Sequence, residues 1–159
     1  MDDLRELYQE VILEHVKNPR NKRTPEDANR HAHGHNPICG DAVEVSLKVN
    51  DQGVIEDVAF DGKGCAISVA SASLMTEELM GKTEAQAKSL FETFHNMCTK
   101  DDTVSTEGVD EDTLDRMRVL AGVREFPMRV KCATLAWHTM TAAMAGKDET
   151  STEQDGNGA

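Results

Sequence analysis

The period of the apolar positions changes several times along the chain, and each change marks an element. Leu4, Leu7, Tyr8, Val11, Ile12 and Val16 recur at three- and four-residue steps, which predicts an amphipathic helix over residues 3–17. Asp3 with Glu6 resembles a capping box at its start, and Asn18-Pro19 stops it, since a residue before proline is driven out of the helical region. Residues 18–37 are basic, contain histidines and are rich in Asn and Pro, so they read as a loop or arm. From 42 to 50 the pattern becomes alternation, with Val43, Val45, Leu47 and Val49 on one face. Asp51-Gln52-Gly53 supplies a turn and residues 54–60 a second short strand, which together predict a β-hairpin.

Asp61-Gly62-Lys63-Gly64 is expected to break the sheet. After Cys65 the run AISVASASLM suits a tightly packed helix of small and apolar residues, ending at Gly81. Thr83 with Gln86 has capping-box spacing and opens a helix carrying Ala87, Leu90, Phe91 and Phe94. Residues 99–112 are polar and acidic and read as an exposed insertion. A short helix around 114–121 ends at Gly122, and Pro127 is placed as a first-turn proline for a last helix through Cys132 and Trp137 to about Ala145. The methionines at 75, 80, 97, 117, 128, 140 and 144 fit helical core positions. Residues 147–159 have little to bury and read as a disordered acidic tail. The expected fold class is α+β: one domain over residues 1–146, with a small, mostly antiparallel sheet packed against several helices.

Charge and composition narrow the function more than the fold. With 17 basic against 29 acidic residues the formal net charge is -12, which repels phosphate backbones and anionic lipid. Nucleic acid and membranes are therefore not expected as partners. No apolar run approaches the roughly 20 residues that cross a bilayer. The acidic start MDDLRELYQE lacks the basic and apolar blocks of a secretory signal. These features predict a soluble, cytoplasmic protein whose four cysteines stay reduced, as metal ligands, nucleophiles or buried side chains.

Three of the cysteines have settings that favour a thiolate. Cys39 lies in Asn36-Pro37-Ile38-Cys39-Gly40-Asp41, just before the first clear strand, where Gly40 permits a tight backbone between two potential ligands. Cys65 stands at a strand-to-helix junction, and a helix N-terminus stabilises negative charge. Cys132 follows Arg129 and Lys131 in the first turns of the last helix. Together Cys39, Asp41, Cys65 and Cys132 offer three sulfurs and one oxygen, a set that tetrahedral zinc accepts. Their separations match no finger or ribbon with paired CxxC knuckles, so spacing alone leaves a shared metal site and buried inert thiols both open. Cys98, at the end of a predicted helix, reads as structural or merely exposed. The alternating His31, His33 and His35 read as solvated, and His15, His95 and His138 as packing or surface residues on helices.

The segments NPICGD, GKGCAIS and RVKCATLAW resemble, in order, the three cysteine motifs of the IscU/NifU N-terminal family of iron–sulfur cluster assembly proteins. LYQEVILEHVKNPRNK resembles the family's N-terminal segment. Lys131 stands where the IscU branch has a histidine, and residues 99–122 resemble the insertion of the SufU branch. The resemblance spans about residues 4–146 and is strongest to the SufU branch. It implies a compact fold with a sheet and packed helices, and zinc held by Cys39, Asp41, Cys65 and Cys132. It also implies transfer of persulfide sulfur from a PLP-dependent, SufS-like cysteine desulfurase towards a downstream SUF scaffold. Cys39, on the loop, is the expected acceptor, and Arg129 and Lys131 the expected electrostatic or docking cations. Two other functions stay in view: a scaffold holding a transient Fe–S cluster on the same cysteines, and a structural zinc module for protein contacts.

Overall fold

The computed structural model describes residues 2–99 and 109–151. Its first element, α1 (Asp2–Lys17), follows the predicted helix closely. Ile12 enters the core and Val16 packs against it, while Leu13 faces solvent. The side chains of the proposed Asp3/Glu6 cap lie outside the described set.

The predicted hairpin is present as β2 (Asp41–Val49) and β3 (Ile55–Lys63), paired antiparallel. Val43, Val45, Leu47 and Val49 are all buried, as the alternation requires. The turn is made by Asn50, whose Oδ1 accepts the Gln52 and Val54 N–H groups, and by Gly53 at a φ of 76°. β3 does not stop at Asp61, as expected, but runs on to Lys63. Gly62 makes this possible: a Cβ there would collide with the Ala42 carbonyl, so only glycine lets the two backbones pass.

Two strands had no visible signal. The supposed arm contains β1 (Arg30–Asn36), antiparallel to β2, and residues expected in a disordered tail form β4 (Glu149–Ser151), parallel to β1. The sheet order is β3-β2-β1-β4. β1 escapes periodicity because its inward positions, Ala32, Gly34 and Asn36, are small or polar. They must be small: a Cβ on Gly34 would meet Thr139 Oγ1 on the helix lying against the sheet.

That helix is α5 (Pro127–Met144), with proline in its first turn as predicted. It packs with α2 (Ala66–Leu79), whose Ala and Ser residues allow close approach. Trp137 Nε1 donates to Ser71 Oγ at 3.1 Å, and Ser71 donates in turn to the Ala133 carbonyl. The Trp137 ring stacks on Phe94 of α3 (Glu84–Thr99) at 4.8 Å. The α3 capping box forms as read, with Thr83 N–H donating to Gln86 Oε1 and Gln86 N–H to Thr83 Oγ1. Of the expected insertion over 99–122, Thr99 closes α3, and residues 109–122 hold α4 (Glu111–Ala121), ending at Gly122 as predicted. Met75, Met97, Met117 and Met140 are buried and Met80 and Met144 pack against the core, but Met128 is exposed, a correction taken up below. The α+β class is the observed one, with one parallel pairing in an otherwise antiparallel sheet.

Two polar contacts tie the helices together. Glu78 on α2 is buried and accepts Arg116 Nε at 2.6 Å and Thr113 Oγ1 at 2.8 Å, both from α4. Removing the guanidinium leaves a buried carboxylate half-satisfied. Arg116→Ala is expected to destabilise the fold by about 2–3 kcal/mol, read by urea denaturation.

His15, buried on α1, bonds Ser73 Oγ through Nδ1 at 2.7 Å; the same oxygen accepts the Arg20 N–H. Burial, and then the nearby Arg20 cation, hold the imidazole below its ordinary pKa of 6.5, outweighing Glu77 and Glu14. The folded state thus disfavours the protonated ring, and the unfolded chain binds the proton more readily. This contribution to stability is complete above the unfolded value and is lost as pH falls below 6.5. In denaturant titrations across mildly acidic pH, His15→Gln should lose less stability on acidification than the parent; parallel curves would count against the assignment.

Candidate metal centre

The four sequence-predicted ligands come from three places in the fold that meet at one end of the sheet. Cys39 sits in the turn joining β1 to β2, half-buried, and Asp41 opens β2, 2% exposed. Cys65 occupies the N-cap of α2, and Cys132 lies in the second turn of α5 with no exposure. The turn closes through its backbone, with Gly40 N–H donating to the Asn36 carbonyl at 2.9 Å and Gly40 at a φ of 75°.

Cys39 Sγ, Cys132 Sγ and an Asp41 carboxylate oxygen all lie within 4.8 Å of one another. Tetrahedral zinc with Zn–S bonds of about 2.3 Å would hold sulfurs roughly 3.8 Å apart, so this grouping suits a metal with little movement. Cys65 lies outside that mutual distance, yet it touches the same group. Its N–H donates to Asp41 Oδ1 at 2.9 Å, and its thiol is among the groups that raise the Cys132 pKa.

The electrostatics point the same way. Burial, and then Asp41, Cys65 and Cys39 beside it, push the Cys132 thiol far above the ordinary cysteine range, so Arg129 and Lys131 alone do not give the thiolate expected from sequence. Several thiolates and a carboxylate at this separation repel one another unless a cation stands among them. The donor set therefore fits a thiophilic dication such as zinc. Of the two expected cations, Arg129 lies against the thiols, where its contacts with Cys132 and Cys65 raise its own pKa. Lys131 is half-buried on the same helix, one position before Cys132.

Two further residues shape the site. Asn36, fully buried at the end of β1, points Nδ2 at Asp41 Oδ2 (3.4 Å) and Cys132 Sγ (3.7 Å). Gly64 clears space for the carboxylate, since a Cβ there would stand 2.6 Å from Asp41 Oδ1. Both lie within the cysteine motifs of the sequence, which was their only signal.

The remaining candidates lie elsewhere. Cys98 is buried in the hydrophobic core, consistent with a structural thiol. His31, His33 and His35 are exposed on the outer face of β1, where His33 Nε2 stands 3.5 Å from Glu44 and His35 Nε2 3.8 Å from Glu149.

The mouth of the site is apolar. Ile38, Phe126 and Met128 are each more than half exposed, and an open groove of about 660 Å³ runs past Cys65, Ile67, Phe126, Pro127, Met128 and Arg129. Met128 belongs to this rim and not to the core because it stands at the exposed first turn of α5.

Comparison with known proteins places the chain in a family. The family described as NifU-like N terminal domain matches residues 7–145. The zinc-dependent sulfurtransferase SufU of Bacillus subtilis (strain 168) is 39% identical over 142 residues, covering 89% of this chain and 92% of that protein. The iron–sulfur cluster assembly scaffold protein IscU of Streptococcus pyogenes serotype M1 is 36% identical over 144 residues, covering 91% and 86%. Among solved structures, a putative iron–sulfur cluster assembly scaffold protein for the SUF system from Fervidobacterium islandicum AW-1 superposes with a TM-score of 0.73 at 34% identity, covering 85% of this chain and 94% of that one. A nitrogen-fixing NifU-like protein (N-terminal) from Brucella abortus superposes with a TM-score of 0.74 at 26% identity, covering 86% and 90%. A sheet end carrying three cysteines and an aspartate, on a chain matched almost throughout, belongs to the NifU-like N-terminal domain family.

Proposed function

We propose that this chain serves iron–sulfur cluster assembly as a zinc-dependent sulfurtransferase, accepting persulfide sulfur from a PLP-dependent cysteine desulfurase and passing it towards a SUF-type scaffold. The observation that carries the reading is the gathering of Cys39, Asp41 and Cys132 beside Cys65, beneath an apolar mouth. Zinc would be held by Cys39, Asp41, Cys65 and Cys132, and when bound it keeps the thiols deprotonated and shielded from oxidation.

The sulfur step is assigned to Cys39. Its thiolate attacks the outer sulfur of the desulfurase persulfide, the persulfide S–S bond breaks, and the desulfurase cysteine leaves as a thiolate. Cys39 then carries the extra sulfur, and no electrons are gained or lost overall. Cys39 suits this role because it sits half-buried on a turn, whereas Cys132 is fully enclosed in a helix. Arg129, against Cys132 and Cys65, supplies positive charge near an otherwise anionic pocket. Among the described residues no helix is long and apolar enough to cross a bilayer.

The scaffold reading shares every ligand and is separated by analysis of the bound metal. Protein purified reduced, without added metal, is expected to hold about one zinc per chain and negligible iron and sulfide. Iron and sulfide in equal amounts would move the assignment to the scaffold. After incubation with desulfurase and cysteine, tryptic mass spectrometry should find the added sulfur on the Cys39 peptide; its appearance only on the Cys65 or Cys132 peptide would overturn the acceptor assignment.

The apolar rim is assigned to desulfurase docking. Phe126→Asp should retain its zinc and raise the concentration giving half-maximal stimulation of cysteine turnover by about tenfold. An unchanged concentration dependence would remove Phe126 from the interface.

A further inference from the structure

Three thiolates and one carboxylate around a dication leave two negative charges in excess, inside a pocket where Asp41 and Cys132 are almost wholly cut off from water. Such a centre depends on hydrogen-bond donors around it as much as on its ligands. One donor is backbone, the Cys65 N–H on Asp41 Oδ1 at 2.9 Å. A second neutral donor is the side chain of Asn36, which is 0% exposed.

The Asn36 carboxamide reaches two ligands from two different elements. Its Nδ2 stands 3.4 Å from Asp41 Oδ2 on β2 and 3.7 Å from Cys132 Sγ on α5. An NH₂ group has two hydrogens, one for each acceptor. With both ligands deprotonated, they are acceptors only, so the amide must turn its nitrogen towards them. Asp41 is then held at both oxygens: Oδ1 by the Cys65 N–H and Oδ2 by Asn36. The backbone of Asn36 does a separate task. Its carbonyl accepts the Gly40 N–H, and it stands opposite Asp41 in the β1–β2 register. The turn that presents Cys39 is thus closed by main-chain bonds that any side chain at 36 leaves in place.

We propose that Asn36 is a positioning residue of the metal centre, whose side-chain amide fixes the Asp41 carboxylate and withdraws charge from the Cys132 thiolate, and so sets how firmly the metal is retained. The proposal rests on the zinc reading above, and it extends that reading to a neutral residue that is not itself a metal ligand.

Charge distinguishes this role from space-filling. Asn36→Asp keeps the shape but replaces the donor by an anion beside the ligands, whereas Asn36→Ala removes the whole carboxamide, donor and volume together. Zinc retention is measured by competition with a chromophoric chelator, and the ligand set by the sulfur-to-cobalt charge-transfer bands after Co²⁺ substitution. Asn36→Ala is expected to retain zinc about 10- to 100-fold more weakly than the parent, and Asn36→Asp more weakly still. The cobalt charge-transfer bands should shift in both. Equal retention by Asn36→Asp and the parent, or loss in Asn36→Ala accompanied by unchanged cobalt spectra, would reduce Asn36 to packing and overturn the proposal. Should the buried charge prevent folding, checked by circular dichroism of the metal-free protein, Asn36→Leu replaces it: similar in size and without a donor, it must lose zinc as Asn36→Ala does. A parent protein showing no tetrahedral thiolate spectrum with Co²⁺ would sink the zinc reading itself, a failure visible before any variant is compared.

Discussion

The structure is organised around a confined group of mutually repelling donors. Asp41 and Cys132 are buried, Cys39 and Cys65 half so, and no two of the four share an element of helix or strand. Bringing them together requires a rigid frame, because the four ligands are carried by separate parts of the fold. The frame is the packing of α5 and α2 over the sheet. Gly34 lets α5 lie against β1, and Ser71 links Trp137 to the Ala133 carbonyl, which locks the two helices in one relative position. That lock places Cys132 beside Asp41. A shift of either helix by a fraction of a turn would disperse the group.

Small residues achieve this where larger ones would keep the helices apart. From Ser68 to Ser73 helix α2 carries only Ser and Ala apart from Val69, and four of these residues are 0–1% exposed. The cost of small side chains is lost apolar area, which Trp137, Phe94, Leu74 and Met140 restore. Ser hydroxyls in such a core need partners, and they have them: Ser71 with Trp137 and Ala133, Ser73 with His15 and Arg20. Polar staples therefore do here what shape complementarity of large side chains does in ordinary cores.

This organisation explains what could and could not be read from sequence. The hairpin, the Thr83 capping box, the first-turn proline and the helix stop at Gly122 were legible because each depends on a local rule of period or capping. β1 was not, because its inward face is set by the helix above it and not by the pleat: Ala32, Gly34 and Asn36 offer no apolar alternation. β4 and the extension of β3 failed for the same reason, since each exists only against a partner strand. At the site, the motifs brought Cys39, Asp41, Cys65 and Cys132 to attention, but their separations along the chain left a shared centre and inert thiols equally open. Asn36 and Gly64 lay inside the same motifs, and only the folded geometry gave them a task.

If the chain transfers sulfur as proposed, the same geometry ranks the three cysteines as acceptors. A nucleophile must present its sulfur to a partner's sulfur along the S–S axis, and this needs access and freedom to move. Cys132 has neither, being enclosed and carried in a helix whose rotation would disturb Trp137. Cys65 is half-exposed but is held by its own N–H on Asp41 at the cap of α2, so moving it would release the carboxylate. Cys39 is carried by a turn of Pro, Ile, Cys and Gly whose ends are fixed by the β1–β2 register and whose tip holds the exposed Ile38. A turn anchored at both ends can tilt one side chain outward without disturbing Asp41 behind it. The proposed division between two thiols carried at helices and one carried on a turn rests on backbone placement, before any property of a metal or partner is invoked.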